Sequence, residues 1–90
     1  ALLSRLHNLI QQHQIYPQSA RFMRQSGTAT VSFNLSPNGT VNDVKLKKSS
    51  GVSSLDQAAL DAVKNIGTVS NIHFKKKERF SVKVNFSLNN

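Results

Sequence analysis

Residues 28–48 read TATVSFNLSPNGTVNDVKLKK. Val31, Phe33 and Leu35 alternate with Ser32 and Asn34, the two-residue period of a strand that buries one face. Val44 and Leu46 alternate again after Ser36-Pro37-Asn38-Gly39, four residues whose types suit a tight reversal. The whole run is therefore expected to be a β-hairpin. A third strand follows from residues 79–88, RFSVKVNFSL, where Phe80, Val82, Val84, Phe86 and Leu88 fall on one side and Ser81, Lys83, Asn85 and Ser87 on the other.

Between hairpin and last strand, Ser49 to Ser53 has loop composition, and Ser54 with Gln57 three residues on has the form of a capping box. The helix it opens carries Leu55, Ala58, Ala59, Ala62, Val63 and Ile66 at helical spacing, and Gly67 is expected to end it. Upstream of the hairpin, Leu2, Leu3, Leu6, Leu9 and Ile10 make one amphipathic helix over Ala1 to His13. Pro17 pushes Ile15 and Tyr16 out of that helix and suits the first turn of a second, short one, expected over Gln18 to Gln25 and closed by Gly27. Thr68 to Glu78 reads as a connector, with Ile72 and Phe74 as packing or strand positions and Lys75 to Lys77 as a solvated turn. The order of elements predicts an α+β fold: a small three-stranded antiparallel sheet with helices packed on one face. Residues 1–15 read as an N-terminal amphipathic helix and lead-in, and residues 16–90 as a single globular unit.

Ninety residues suffice for one modest core. The chain has no apolar run near the ~20 residues that span a bilayer, and its start inside a helix, without Met, reads as a piece of something longer. It has no cysteine, which excludes a disulfide framework and thiolate metal sites. Twelve Lys and Arg against four acidic residues give a formal charge of +8, which favours anionic partners.

Chemistry of an enzyme is hard to build from these residues. SSGVSS beside Asp56 offers serines, but without a G-x-S-x-G elbow they are better explained by the helix start next to them. His7, His13 and His73 lack cysteines or nearby carboxylates to complete a metal site, and His7 and His13, six positions apart, do not stack on one helical face. Asp56 and Asp61 read as a helix N-terminal charge and an exposed helical residue. Neither catalysis nor a cofactor is expected. Lys45, Lys47 and Lys48 with Lys75 to Arg79 are candidates for a surface that binds nucleic acid or an anionic cell-wall polymer, although Phe33, Phe80 and Phe86 fall on the core side of their strands and are not placed to stack on bases.

Taken together, Tyr16-Pro17, Ala20, Gly27 before the first strand, the hairpin V-x-F-x-L-x-P-N-G-x-V-x-x-V, Ser49-Ser50-Gly51 and Leu55-Asp56-x-Ala58-Ala59-Leu60-x-Ala62-Val63 resemble the C-terminal domain of TonB energy transducers, over about Tyr16 to Leu88. The chain departs from many relatives between Asn65 and Arg79, where it lacks a proline and aromatic segment, and before Tyr16, where His13-Gln14-Ile15 stands in place of a Gln-Pro. The resemblance implies a periplasmic domain anchored to the inner membrane by a segment outside this sequence and energised there by ExbB and ExbD. It implies that the domain grips outer-membrane transporters for iron complexes, vitamin B12 or metals by adding their TonB box to its last strand, with the Tyr-Pro segment helping to hold it. Carried onto this chain, the transporter-binding residues are Gln14, Ile15, Tyr16, Pro17, Arg79, Phe80, Ser81, Val82, Lys83, Val84, Asn85, Phe86, Ser87 and Leu88. A TolA-type adaptor and a homodimer joined edge to edge belong to the same physical class.

If the first strand is central, the outward edge of Ser81 to Leu88 retains N–H and C=O groups that an extended peptide can pair with. About eight residues at ~3.3 Å each give room for four to six ladder bonds, each worth ~1 kcal/mol net. Such binding would be modest, reversible and tolerant of side-chain identity.

Overall fold

The computed structural model describes residues 2–70, 72 and 75–88. Its elements in chain order are α1 (Leu2–His13), α2 (Gln18–Phe22), β1 (Gly27–Leu35), β2 (Val41–Lys48), α3 (Ser53–Lys64) and β3 (Glu78–Phe86). The three strands form one antiparallel sheet in the order β2-β1-β3. The first strand is thus the central one. No described helix is long and apolar enough to cross a membrane.

The alternation read in the sequence becomes the two faces of this sheet. Ala29, Val31, Phe33 and Leu35 of β1 and Val82, Val84 and Phe86 of β3 are buried under the helices, joined by Leu6 and Ile10 of α1, Ala20 of α2 and Leu55, Ala59, Ala62 and Val63 of α3. Leu6 and Ile10 therefore make α1 part of the same core, and Arg5 Nη2 ties it further by donating to the Ser70 carbonyl at 2.6 Å. In the connector, Ile72 packs against the core and Lys75 to Lys77 are exposed. Phe74 and His73 lie outside the described residues.

Three local expectations are corrected. α2 stops at Phe22, not Gln25, because Arg24 takes a left-handed conformation (φ 54°) and its N–H bonds to the Arg21 carbonyl at 3.1 Å. Gly27 belongs to β1 instead, where a Cβ would stand 2.8 Å from the Ser50 carbonyl oxygen. The capping box at Ser54 and Gln57 does not form. α3 begins at Ser53 with Val52 as its cap residue and no side-chain cap bond. Its N-terminal organiser is Asp56, which accepts from the Ser49 hydroxyl, the Ser50 hydroxyl (2.7 Å) and the Ser50 N–H (2.7 Å). Partial burial opposes ionisation of Asp56, but these three donors outweigh it and hold the carboxyl below its ordinary value. Finally, Leu46 stands opposite the buried Val31 on the helix-covered face of the sheet but is 38% exposed there. β2 is an edge strand whose register against β1 shifts between Ser32 and Asn34, with Asp43 at φ 52° inside the irregular stretch.

The hairpin turn closes as its residues suggest, with Gly39 N–H bonded to the Ser36 carbonyl at 2.8 Å and Ser36 N–H to Thr40 at 3.0 Å. Gly39 (φ 91°) is also where the 67–69 segment crosses: a Cβ there would lie 1.9 Å from the Val69 carbonyl oxygen. Val69 N–H bonds to Gly39 O at 2.7 Å and Val41 N–H to Gly67 O at 2.9 Å. This crossing covers the start of the outer edge of β2.

Candidate strand-addition site

An antiparallel strand turns the N–H and C=O of alternate residues to opposite sides. The Ser36–Thr40 bond sets the phase of the hairpin ladder: even-numbered residues of β1 face β2 and odd-numbered ones face β3. With Ala29 paired to Val84 and Val31 to Val82, the even residues of β3 bond to β1. Arg79, Ser81, Lys83 and Asn85 consequently point their backbone groups away from the sheet. Gln14 confirms the phase, because its Nε2 reaches the Asn85 carbonyl at 2.7 Å from the far side of β3. Among the described residues nothing pairs with the outward groups of Ser81 and Lys83.

The two edges of the sheet differ. That of β2 is covered at its start, bulged near Asp43 and carries Lys45, Lys47 and Lys48, the usual means of discouraging further pairing. That of β3 runs through nine successive register pairs with β1 without a shift, from Gly27–Phe86 to Leu35–Glu78. A straight, regular edge is the better template for another strand.

The candidate residues named from the sequence take distinct positions around this edge. Ser81, Lys83 and Asn85 lie on it with exposed side chains, while Val82, Val84 and Phe86 hold it to the core from the opposite face. Phe80 stacks on Phe33 across the strand pair, centroids 6.1 Å apart. Arg79 contributes its backbone, but its side chain turns inward over the open face of the sheet. Nη2 donates to Ser32 Oγ at 2.8 Å and Nη1 to Asn34 Oδ1 (3.1 Å) and Asp43 Oδ2 (2.9 Å), linking all three strands. Tyr16 stands edge-on to Phe86 (5.5 Å, 89°) and its hydroxyl donates to the Gln25 carbonyl. Pro17 sits at the start of α2 with φ −59°, its carbonyl accepting from Arg21 N–H at 2.9 Å. Ile15, 73% exposed, borders a depression shared with Ser54, Ala58 and Asp61 of α3 rather than the β3 edge. Ser87 and the half-buried Leu88 follow the end of the strand.

One part of the site was not foreseen. α1 and the residue after it flank the C-terminal half of the edge, so that His7, Ile10, Gln11 and Gln14 line a groove of about 230 Å³ with Lys83, Val84, Asn85 and Ser87. Helical spacing showed that Leu6 and Ile10 share a face, but only the packing reveals that this face is laid beside β3. The groove has no acidic lining residue.

Comparison with known proteins agrees with this architecture. The family model described as Gram-negative bacterial TonB protein C-terminal matches residues 12–88. Protein TonB of Pasteurella multocida is 37% identical over 90 residues, covering all of this chain and 35% of that protein. Protein TonB of Haemophilus influenzae is 38% identical over 88 residues, 98% of this chain and 33% of that protein. The solution structure of the Helicobacter pylori TonB C-terminal domain superposes with a TM-score of 0.86 at 26% identity, covering 98% of this chain and 81% of that one. This chain thus spans about a third of the length of these two curated relatives, and the family match covers β3 and Gln14 to Pro17 but only the last two residues of α1. By its sequence and by its β2-β1-β3 sheet under three helices, the chain belongs to the TonB C-terminal domain family.

Proposed function

We propose that this domain is a periplasmic binding module of a TonB-type energy transducer, which captures an extended N-terminal segment of outer-membrane transporters by adding it to the outer edge of β3. The reading rests on one observation: β3 presents a regular edge whose outward groups at Ser81 and Lys83 have no partner among the described residues. Backbone pairing accepts many side chains, so one domain serves several transporters, including those for iron complexes, vitamin B12 or metals. Bonds spaced along a strand share a load applied along it, which suits force transmission from an inner-membrane complex with ExbB and ExbD. The role is that of an adaptor, not a catalyst.

In the free domain Gln14 occupies the Asn85 carbonyl, a position where an added strand would place its own N–H. Gln14 therefore marks the end of the pairing register, and the Tyr16–Phe86 contact fixes it there. The test is a titration of the isotopically labelled domain with a synthetic transporter N-terminal segment at two salt concentrations. Amide shifts at Ser81, Lys83, Asn85 and Gln14 that change little with salt are expected. Shifts confined to Lys45, Lys47 and Lys48, and abolished by salt, would instead assign the domain to polyanion binding.

A further inference from the structure

The end of α2 and the turn after it, Arg21-Phe22-Met23-Arg24, expose two large apolar side chains next to each other. Phe22 is 90% exposed and Met23 66%, whereas the other large apolar side chains of the helices mostly cover the core. A Phe and a Met side by side in water are held there by the backbone, which is firmly anchored. Ala20 is fully buried, Met23 N–H bonds to Ser19 O at 3.1 Å, Gln25 N–H bonds to Ala20 O at 2.8 Å, and the Tyr16 hydroxyl holds the Gln25 carbonyl.

The charged residues within this segment are both cationic. Arg21 and Arg24 flank the pair, neither has an acidic partner among the described residues, and residues 1–42 contain no Asp or Glu at all. Arg24 also stands at φ 54°, a conformation that glycine or asparagine adopts far more easily. Two apolar side chains between two guanidiniums, on a rigid exposed turn, match a surface with phosphates outside and hydrocarbon beneath.

We propose that Arg21 to Arg24 is a membrane-contact tip for anionic phospholipid bilayers, in which Phe22 and Met23 enter the boundary between headgroups and acyl chains and the two arginines bind lipid phosphates. Gly27 pairs with Phe86, so the tip lies at the end of the sheet where β3 finishes. The proposal goes beyond strand addition and stands without it.

The experiment is flotation of the chain with vesicles of equimolar phosphatidylglycerol and phosphatidylcholine, and with phosphatidylcholine alone. Binding to the anionic vesicles only is expected. F22S/M23S should weaken it by about tenfold or more through lost apolar burial, and R21Q/R24Q by roughly 25-fold, at about fivefold per basic residue. Arg24→Gly relaxes the backbone, so it should fold at least as well as the parent and still lose about fivefold. K75Q/K76Q removes equal charge at the opposite end of the sheet, beside the Glu78–Leu35 pair, and should cost less than about threefold. Three results would each overturn the proposal: no binding to anionic vesicles, unchanged binding by F22S/M23S, or equal losses in K75Q/K76Q and R21Q/R24Q. So would capture by immobilised polyglutamate that depends on Phe22 and Met23 and exceeds vesicle binding.

Discussion

Replacing Lys83 with proline separates the two sides of β3. Lys83 N–H points away from β1, so Lys83→Pro leaves the β1–β3 ladder complete and meets the condition under which proline is tolerated on an edge strand. An incoming strand loses one N–H···O bond, ~1 kcal/mol net, and leaves its own carbonyl facing the proline ring, a further ~1–2 kcal/mol. The sum, about 2–3 kcal/mol, weakens peptide binding roughly 30- to 150-fold. Val84→Pro is the matched contrast: its N–H faces Ala29 in the buried ladder and its side chain is 1% exposed. Losing that bond and the buried valine side chain costs about 3 kcal/mol or more of stability. Calorimetric titration with a transporter peptide, beside thermal melts of both variants, reads the two effects. A folded Lys83→Pro domain that binds within about twofold of the parent would refute edge addition, and equal destabilisation by the two prolines would refute the assignment of which residues face outward.

Gly39→Ala sets a Cβ 1.9 Å from the Val69 carbonyl at a φ of 91°, whereas Gly51 (φ 95°) has nothing within 4 Å of such a Cβ. Gly39→Ala should therefore lower the melting temperature by at least twice as much as Gly51→Ala, for which backbone strain of about 1 kcal/mol is the only cost. For Asp56, a native value below the ordinary 3.8 means that the unfolded chain binds more protons in that window. Its contribution to stability is present above the ordinary value and lost as pH falls through the lowered native one. The stability difference between the parent and Asp56→Asn, measured by denaturant titration, should shrink toward zero along that descent; a difference that grows on acidification would contradict the role given to the Ser49 and Ser50 donors.

Much of the fold was legible because periodicity reports burial directly. Val31, Phe33 and Leu35 alternate and are buried, and Leu55, Ala59, Ala62 and Val63 recur at helical spacing and are buried. Where reading failed, a residue type suited two local solutions. Gly27 looked like a helix terminator because glycine often is one, yet its constraint comes from Ser50, 23 positions away in sequence. Ser54 and Gln57 had the spacing of a capping box, but Asp56 found better donors in the preceding loop. Leu46 kept its place on the core side, opposite Val31, but lies on an edge strand where it stays 38% exposed.

The candidate site divides along the same line. By itself the sequence determined that residues 79–88 form a strand with one buried face, since alternation depends only on neighbours along the chain. It also carried the resemblance that linked this strand to Gln14 through Pro17. Only the tertiary structure decided that β1 is central and β3 an edge, because strand order depends on which pairings close the core around Phe33 and Leu35. The same packing laid α1 beside β3, brought Gln14 to the Asn85 carbonyl, turned the Arg79 side chain across the sheet to Asp43, and left Phe22 and Met23 standing in solvent. These are contacts between residues far apart in the chain, and no local pattern encodes them.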